Sequence, residues 1–259
     1  MARGAHSLKY DAVHDEIIIP NPHTQAILTF RGNADGEEAP IRVLRGPSTQ
    51  MRDNVDRVEV DGVHNEIFIA NMDSVLVLPR EANGDAAPIR ILKGPNTRLT
   101  ATRPFLTKSL AVDPVNNLLI VGTNPDTVRA TMVNSPQKPG AILIFNRTDN
   151  GDVKPRGVIY GPKTGIYSVD QIQVYPSKGW IVATIIGNAN IDLEAPPGSS
   201  ISIWSINDSG DVPPRWTIGG PKSTLKKPRG VALDPKHKEL IVADMRLNAL
   251  PRYYFPEMF

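Results

Sequence analysis

The chain contains no cysteine, which excludes disulfide bonds, thiol catalysis and cysteine-ligated zinc or iron–sulfur centres. It also has no Gly-x-Ser-x-Gly elbow, no phosphate-binding loop and no His-Glu-x-x-His pair. No apolar stretch reaches the roughly 18 residues of a membrane span. The opening residues MARGAHSLKYD have no apolar core of a signal peptide. We therefore expect a soluble protein without a membrane span, whose compartment is unknown from the sequence.

Neither sign of charge is in excess, because the chain has 29 basic and 27 acidic residues. Dedicated nucleic-acid binders concentrate positive charge on one surface, so we expect no nucleic-acid partner. The one basic run, Lys222 to Arg229, is expected to be a solvated loop.

Proline and glycine, by contrast, are frequent and regularly spaced. Four times a glycine is followed four residues later by a proline, and six residues after that comes a Gly-Pro pair. The copies are Gly36, Pro40, Gly46-Pro47; Gly84, Pro88, Gly94-Pro95; Gly151, Pro155, Gly161-Pro162; and Gly210, Pro214, Gly220-Pro221. Identical spacing in four copies indicates a repeated supersecondary unit.

Each copy reads as four short strands. A first strand runs into a turn that mostly begins with aspartate, and a second, almost continuously apolar strand is typical of burial on both faces. The fourth strand begins with the repeated proline and carries arginine or lysine in most copies, as expected of an outer sheet edge. The Tyr253-Tyr254-Phe255 run is expected to pack the last unit.

This pattern predicts an all-β protein, a β-propeller of four-stranded antiparallel blades forming a single domain over residues 1–259. Five blades are visible, and the fifth copy stops after its third strand. Their approximate bounds are 7–47, 56–95, 108–162, 169–221 and 229–259.

The segments VDPVNNLLIVGTN and RGVALDPKHKELIVAD resemble the NHL-type propeller repeat. They are also similar to bacterial propellers of the senescence-marker-protein and gluconolactonase superfamily. The resemblance covers residues 7–259 approximately and implies a six-bladed parent. For function it implies a metal-dependent lactone or ester hydrolase, or a lyase like the streptogramin-inactivating propellers, which needs a funnel histidine that this sequence does not offer.

The unfinished fifth blade leads to two expectations. One is that the chain is an N-terminal truncation, which would leave a secreted or periplasmic location open. The other is that a strand donated by a partner completes the last blade. A well-paired fourth strand built from residues 1–7 would contradict the truncation.

Loops joining second to third strands share one face with the loops between blades, and both long insertions, 122–140 and 185–199, lie on that face. We expect binding there, although neutral drift of tolerant surface loops explains their length as well. The binding-face candidates are Asn21, Asn71, Thr123, Asp126, Asp192, Glu194 and Asp244.

Four of these candidates end second strands, where the related hydrolases hold a divalent cation with glutamate, asparagine and aspartate. Here Asp244 is the one carboxylate among the four, so capping of strand ends is the competing interpretation. His14, His64 and His237 occupy equivalent places in separate repeats, which argues against a shared metal. We assign no catalytic residue, metal or cofactor.

The leading hypothesis is a non-enzymatic bacterial propeller that binds a protein or another macromolecule, or acts as a scaffold, through the long-loop face. The alternative is the metal-dependent hydrolase of the gluconolactonase type.

Overall fold

The computed structural model describes residues 7–52, 55–99, 109–123, 140–187 and 198–259. These residues form five antiparallel sheets, in which neighbouring strands follow one another in the sequence. Four sheets have four strands and the fifth has three. The predicted β-propeller fold is therefore confirmed, and the fifth blade is short of one strand among the described residues.

The strands of the first two sheets are β1 Lys9–Asp11, β2 Glu16–Asn21, β3 Ala26–Arg31 and β4 Arg42–Leu44, then β5 Val58–Asp61, β6 Glu66–Asn71, β7 Ser74–Pro79 and β8 Arg90–Lys93. The third sheet contains β9 Ser109–Asp113, β10 Leu118–Thr123, β11 Ala141–Asn146 and β12 Gly157–Ile159. The last two contain β13 Ser168–Tyr175, β14 Trp180–Ile186, β15 Ser200–Ser205 and β16 Trp216–Gly219, then β17 Pro228–Asp234, β18 Glu239–Asp244 and β19 Arg252–Tyr254.

Outside the sheets, the described residues form short 3-10 turns at Pro47–Thr49, Pro95–Thr97, Pro162–Thr164, Pro176–Lys178 and Pro221–Ser223. In the part of the chain that the structure describes, no helix is long and apolar enough to cross a membrane. Two compact units are present, one formed by Met1–Leu118 with Asn146–Pro155 and the other by Leu119–Phe145 with Arg156–Phe259. The single-domain assignment over 1–259 stays a prediction.

The second strand of each sheet does not have the same environment throughout. β6 is buried at every position and β14 at all but its first residue, as its apolar run predicts. In β2 and β18 buried and half-buried residues alternate, so one face of the first and of the fifth sheet is only partly covered. The prediction of burial on both faces was wrong for these two sheets, because an apolar run shows only that a strand tolerates burial.

In three of the four copies, the repeated glycine ties its turn to the preceding sheet. Gly84 lies in the turn between β7 and β8 at φ 63°, a left-handed conformation that favours glycine. It donates its N–H to the Val43 carbonyl (2.8 Å) and accepts the Arg45 N–H (2.9 Å). Two further turns repeat this pair of bonds, Gly151 with Ile91 and Lys93, and Gly210 with Val158 and Tyr160.

The residues on either side of that glycine complete the contact. Asn83 Oδ1 accepts the Val43 N–H at 2.9 Å, and Asp85 Oδ1 accepts the Ser48 N–H at 2.6 Å. The turns 150–152 and 209–211 make the equivalent side-chain bonds to the preceding sheet. We call the three turns 83–85, 150–152 and 209–211 the clasps. Each clasp satisfies backbone groups of an outer edge strand that would otherwise be open to another chain.

The glycine of the Gly-Pro pair makes room for the clasp. A Cβ atom added at Gly46 would overlap the carboxyl group of Asp85, and the same holds for Gly94 with Asp152 and Gly161 with Asp211. The two glycines of the repeat thus serve one contact. The first forms the clasp turn, and the second lies beneath the clasp of the next repeat.

Within the first unit, buried charge also joins successive sheets. Glu66 at the start of β6 lies between Arg90 of β8 (2.8 Å) and Arg147, which follows β11 and also approaches Asp61 at 3.6 Å. The equivalent group in the first sheet is Glu16 with Arg42 and Arg80. A buried carboxylate between two guanidinium groups stays favourable only while every charge has its partner.

Around the fourth sheet, in the second unit, the residues equivalent to Glu66, Arg90 and Arg147 are Trp180, Trp216 and Phe255. Trp180 meets Trp216 edge-to-face with centroids 5.2 Å apart, and Trp216 meets Phe255 at 5.6 Å. Such aromatic contacts stabilise without the desolvation cost of a buried charge. The same three positions therefore hold charges around the second sheet and rings around the fourth.

Replacing Gly94 with alanine tests the fit between clasp and Gly-Pro turn. The Gly94→Ala variant should lose roughly 1–3 kcal/mol of unfolding free energy more than Gly220→Ala, measured by urea denaturation. Both glycines have positive φ, but nothing lies within 4 Å of a Cβ atom at Gly220. Equal losses in the two variants would contradict the fit.

Removing the Glu66 charge should unbalance the buried cluster. Glu66→Gln leaves Arg90 without its carboxylate and Arg147 with Asp61 alone, and we expect a loss of roughly 3 kcal/mol in urea denaturation. The matched control is Glu38→Gln at the solvent-facing pair of Arg31 and Glu38, where the loss should be much smaller. A loss in Glu66→Gln no larger than in the control would show that the cluster contributes no stability.

Candidate functional site

An open pocket of about 400 Å³ lies at the loop end of the fifth sheet, within the second unit. The end of β18 forms its base, and the loop from β18 to β19 forms much of its wall. This loop joins a second to a third strand, as the long loops do. The lining residues are Arg229, Ala243, Asp244, Met245, Asn248, Ala249 and Leu250.

Asp244 holds the loops around this pocket in place. Its Oδ1 accepts the backbone N–H groups of Lys227, Arg246 and Leu247, and its Oδ2 accepts those of Lys226 and Lys227, at 2.8–3.1 Å. Asp244 is 2% exposed, so its carboxylate faces these backbone donors and not the solvent. Asp244 therefore shapes the pocket, and it also fixes the start of the basic run.

Arg229 supplies positive charge at the pocket wall. Its Nη1 donates to Asp170 Oδ1 at 3.1 Å, and its Nε is buried without a hydrogen-bond partner. The side chain is 42% exposed. A guanidinium has five N–H donors, so this one has capacity for a further acceptor such as a carboxylate.

Exposed apolar side chains complete the pocket. Met245 is 51% exposed and Leu250 67%. Methionine is flexible enough to adapt to different partners. An apolar pocket with one cation at its wall suits a ligand with an apolar group and an acidic group close together.

The other predicted strand-end residues bond to their own loops. Asn21 Oδ1 accepts the His23 and Thr24 N–H groups, and buried Asn71 accepts the Arg52 N–H and donates to Ser74. Thr123 bonds through its hydroxyl to both the N–H and the carbonyl of Ala141. Asn21 and Asn71 lie in the first unit, and Thr123 and Asp244 in the second.

Three candidates, Asp126, Asp192 and Glu194, lie outside the described residues, as do the central parts of the long loops 122–140 and 185–199. Their role in binding stays a prediction. The described residues Ile185 and Ser199 mark the ends of the second loop within the same unit as the pocket.

The three equivalent histidines each pair with an aspartate of their own turn. Their Nδ1 atoms lie 2.6–2.8 Å from Oδ2 of the aspartate three residues earlier. The hydrogen bond from His237 lowers the pKa of Asp234. Across the described ranges, no group of three or more histidine or acidic side chains is arranged to hold a metal ion.

The aromatic run divides between packing and exposure. Tyr253 donates its hydroxyl to the Ser223 carbonyl at 2.7 Å, and burial raises its pKa. Phe255 packs against Trp216. Tyr254 is 70% exposed, so the packing prediction was wrong for this residue, because alternate residues of an edge strand face opposite ways.

Sequence reasoning missed Arg229 and the clasps. Arg229 was visible only as one charge in a basic run, and nothing in its spacing relates it to Asp170. The clasps did leave a signal, since an aspartate follows the repeated glycine in three copies and Glu37 follows it in the first.

The chain is similar in structure to proteins that it scarcely resembles in sequence. No protein-family model and no curated protein matches it. A chain of the Kuenenia stuttgartiensis hydrazine synthase superposes with a TM-score of 0.60 at 14% identity, over 92% of this chain and 55% of that one. A chain of the mitotic checkpoint complex does so with a TM-score of 0.59 at 15% identity, over 96% and 62%. This chain thus spans less than two thirds of either neighbour, and the similarity shows the β-propeller fold alone.

Proposed function

We propose that this propeller is a binding scaffold that engages a protein partner through the loop face of its second unit. The observation that carries the proposal is the pocket of Met245, Leu250 and Arg229, where exposed apolar surface lies beside a partly exposed guanidinium. Exposed apolar patches with a polar rim are typical of interaction sites. The long loops 122–140 and 185–199, with Asp126, Asp192 and Glu194, extend the same face in this proposal.

The partner segment that fits this pocket carries an acidic residue next to a large apolar one. The carboxylate would accept from Arg229 while the apolar side chain covers Met245 and Leu250. Arginine and methionine are both enriched at protein interfaces. The mitotic checkpoint neighbour is a component of a protein complex, which is compatible with this use of the fold.

The gluconolactonase-type hydrolase is the second candidate, based on the family resemblance and on the carboxylate of Asp244 at the end of β18. Hydrolysis of that kind needs several oxygen ligands free for a cation. Both carboxylate oxygens of Asp244 instead accept backbone N–H groups. The side-chain oxygen of Asn21 also accepts a backbone N–H. This geometry supports the binding proposal over the hydrolase.

Peptide selection tests the binding proposal without a known partner. A displayed library of random twelve-residue peptides, panned on the full chain, should enrich sequences that combine Asp or Glu with a neighbouring large apolar residue. Arg229→Met, which keeps the apolar stem, should weaken the enriched peptides by roughly tenfold or more, because a hydrogen bond between charged groups is lost. Fluorescence anisotropy measures both affinities.

The control for this test is Lys178→Met, which removes an exposed cation at the opposite end of the fourth sheet. It should leave the affinities unchanged. Failure to enrich any peptide, or equal binding by Arg229→Met and the parent chain, would overturn the proposal.

Metal addition separates the two candidates. With calcium, zinc or manganese in excess, the melting temperature should stay unchanged, since a ligand stabilises only where it binds the folded state more tightly. A clear rise with one of these ions, absent in Asp244→Asn, would contradict the binding scaffold and favour the hydrolase. The Asp244→Asn melting temperature without metal is the baseline for that comparison.

A further inference from the structure

The outer edge of the fourth sheet lacks the contact that covers the first three. Strands β4, β8 and β12 are each bound by a clasp. By repeat alignment, the groups that would receive a clasp on β16 are the N–H and carbonyl of Thr217 and the N–H groups of Gly219 and Lys222. None of these groups bonds to a clasp-like turn in the part of the chain that the structure describes.

Burial at the equivalent positions agrees with this difference. Leu44, Leu92 and Ile159 are at most 2% exposed, whereas Ile218 is half-buried. The Gly-Pro turn also changes, since Gly46, Gly94 and Gly161 have φ between 133° and 143° but Gly220 has φ 78°. The outer strand of the fourth sheet therefore has the backbone groups that a clasp would bind, but they are more exposed than in the first three sheets.

Among the described residues, the fifth sheet has no fourth strand to match. In each complete sheet, the residue after the repeated proline donates its N–H at 2.8 Å to the third strand, as Ile89 does to the Val77 carbonyl. In the fifth sheet the position of Val77 is taken by Arg252 on the edge strand β19. No described residue donates to the Arg252 carbonyl.

One continuous segment would satisfy both edges. In the second sheet, clasp residues Asn83 to Asp85 run directly into Pro88 and Ile89. A segment of this pattern would place its clasp on β16 and its strand beside β19. Both edges belong to the second unit.

Residues after β19 leave these backbone groups accessible. The Met258 carbonyl accepts from Trp180 Nε1 at 3.1 Å, and Phe259 packs on Tyr175 with centroids 5.3 Å apart. These contacts cover aromatic rings rather than the edge groups. Thr217 and Lys222 are exposed.

The charge around the open edges also selects the occupant. The clasp aspartates accept the N–H of Ser48, Asn96 and Lys163, and the equivalent residue on the fourth sheet is Lys222. At the other edge, Arg252 lies 3.7 Å from Glu239, and its side chain is 67% exposed. A segment with an aspartate in its turn matches the charge of Lys222.

We propose that the open edges of β16 and β19 bind a segment of the form Asn/Ser-Gly-Asp-x-x-Pro followed by a β-strand. The backbone pairing gives affinity, and the turn aspartate gives selectivity. This site is separate from the loop-face pocket, so each proposal can fail without the other.

A synthetic peptide of residues 81–94 of this chain, EANGDAAPIRILKG, is the probe. Labelled peptide should bind the full chain saturably in fluorescence anisotropy. Changing Asp85 of the peptide to alanine should weaken binding roughly tenfold or more, through loss of charge-assisted hydrogen bonds. Changing Gly84 of the peptide to valine should also weaken it, because the turn needs a positive φ.

Two protein variants locate the site. Thr217→Pro removes the N–H that would donate to the bound segment. Proline is tolerated at such an edge position. It should lose peptide binding, whereas Thr217→Val should retain it. Melting temperatures confirm that both variants fold.

No saturable binding of the peptide would overturn the proposal. Equal affinity of the parent and Asp85→Ala peptides would also overturn it. Because only the peptide changes in that comparison, misfolding of the protein cannot explain the result. Full retention of binding by a folded Thr217→Pro variant would likewise show that the peptide binds elsewhere.

Discussion

The hydrogen bonds between each clasp and the outer strand of the preceding sheet are the contact on which the blade arrangement depends. A four-stranded sheet has an unpaired outer edge, and unpaired edges attract other chains. Here the turn of one repeat covers the edge of the repeat before it, through Gly84 on Val43 and its two equivalents. Each copy therefore needs a neighbour, which explains why the Gly-Pro spacing is fixed while the strand residues vary.

The side chains beside the clasps follow a less strict rule. At three equivalent positions, the charges around the second sheet are replaced by rings around the fourth, as with Glu66 and Trp180. Each set depends on matched partners, since a buried carboxylate needs its arginines and the rings pack edge-to-face on one another. The charged set is not fully satisfied, because Nε of Arg90 is buried without a hydrogen-bond partner.

The sequence predicts the fold well because its information is periodic. Glycine and proline at constant spacing locate the turns, and the strand order follows from short connections. Burial was predicted less well, since the apolar runs of β2 and β18 do not reveal that one face lies partly open. The pocket was not predicted, because no spacing displays the backbone bonds that hold its loops. Lys227 and Arg246, close in sequence to Arg229 and Met245, both donate to Asp244. The sequence identifies the oxygen-bearing side chains at the strand ends, but it does not show the hydrogen bonds that those oxygens accept.

The two functional proposals concern two surfaces of the second unit, which are the loop-face pocket and the open edges. The proposal for the open edges depends on the clasp contact. Amide hydrogen exchange, resolved by residue, tests that contact most directly in the chain alone. The account predicts slow exchange for the N–H groups of Val43, Ile91 and Val158, which clasps cover. It predicts fast exchange for Thr217, which no clasp covers among the described residues. Equal protection of Thr217 and the other three would contradict it.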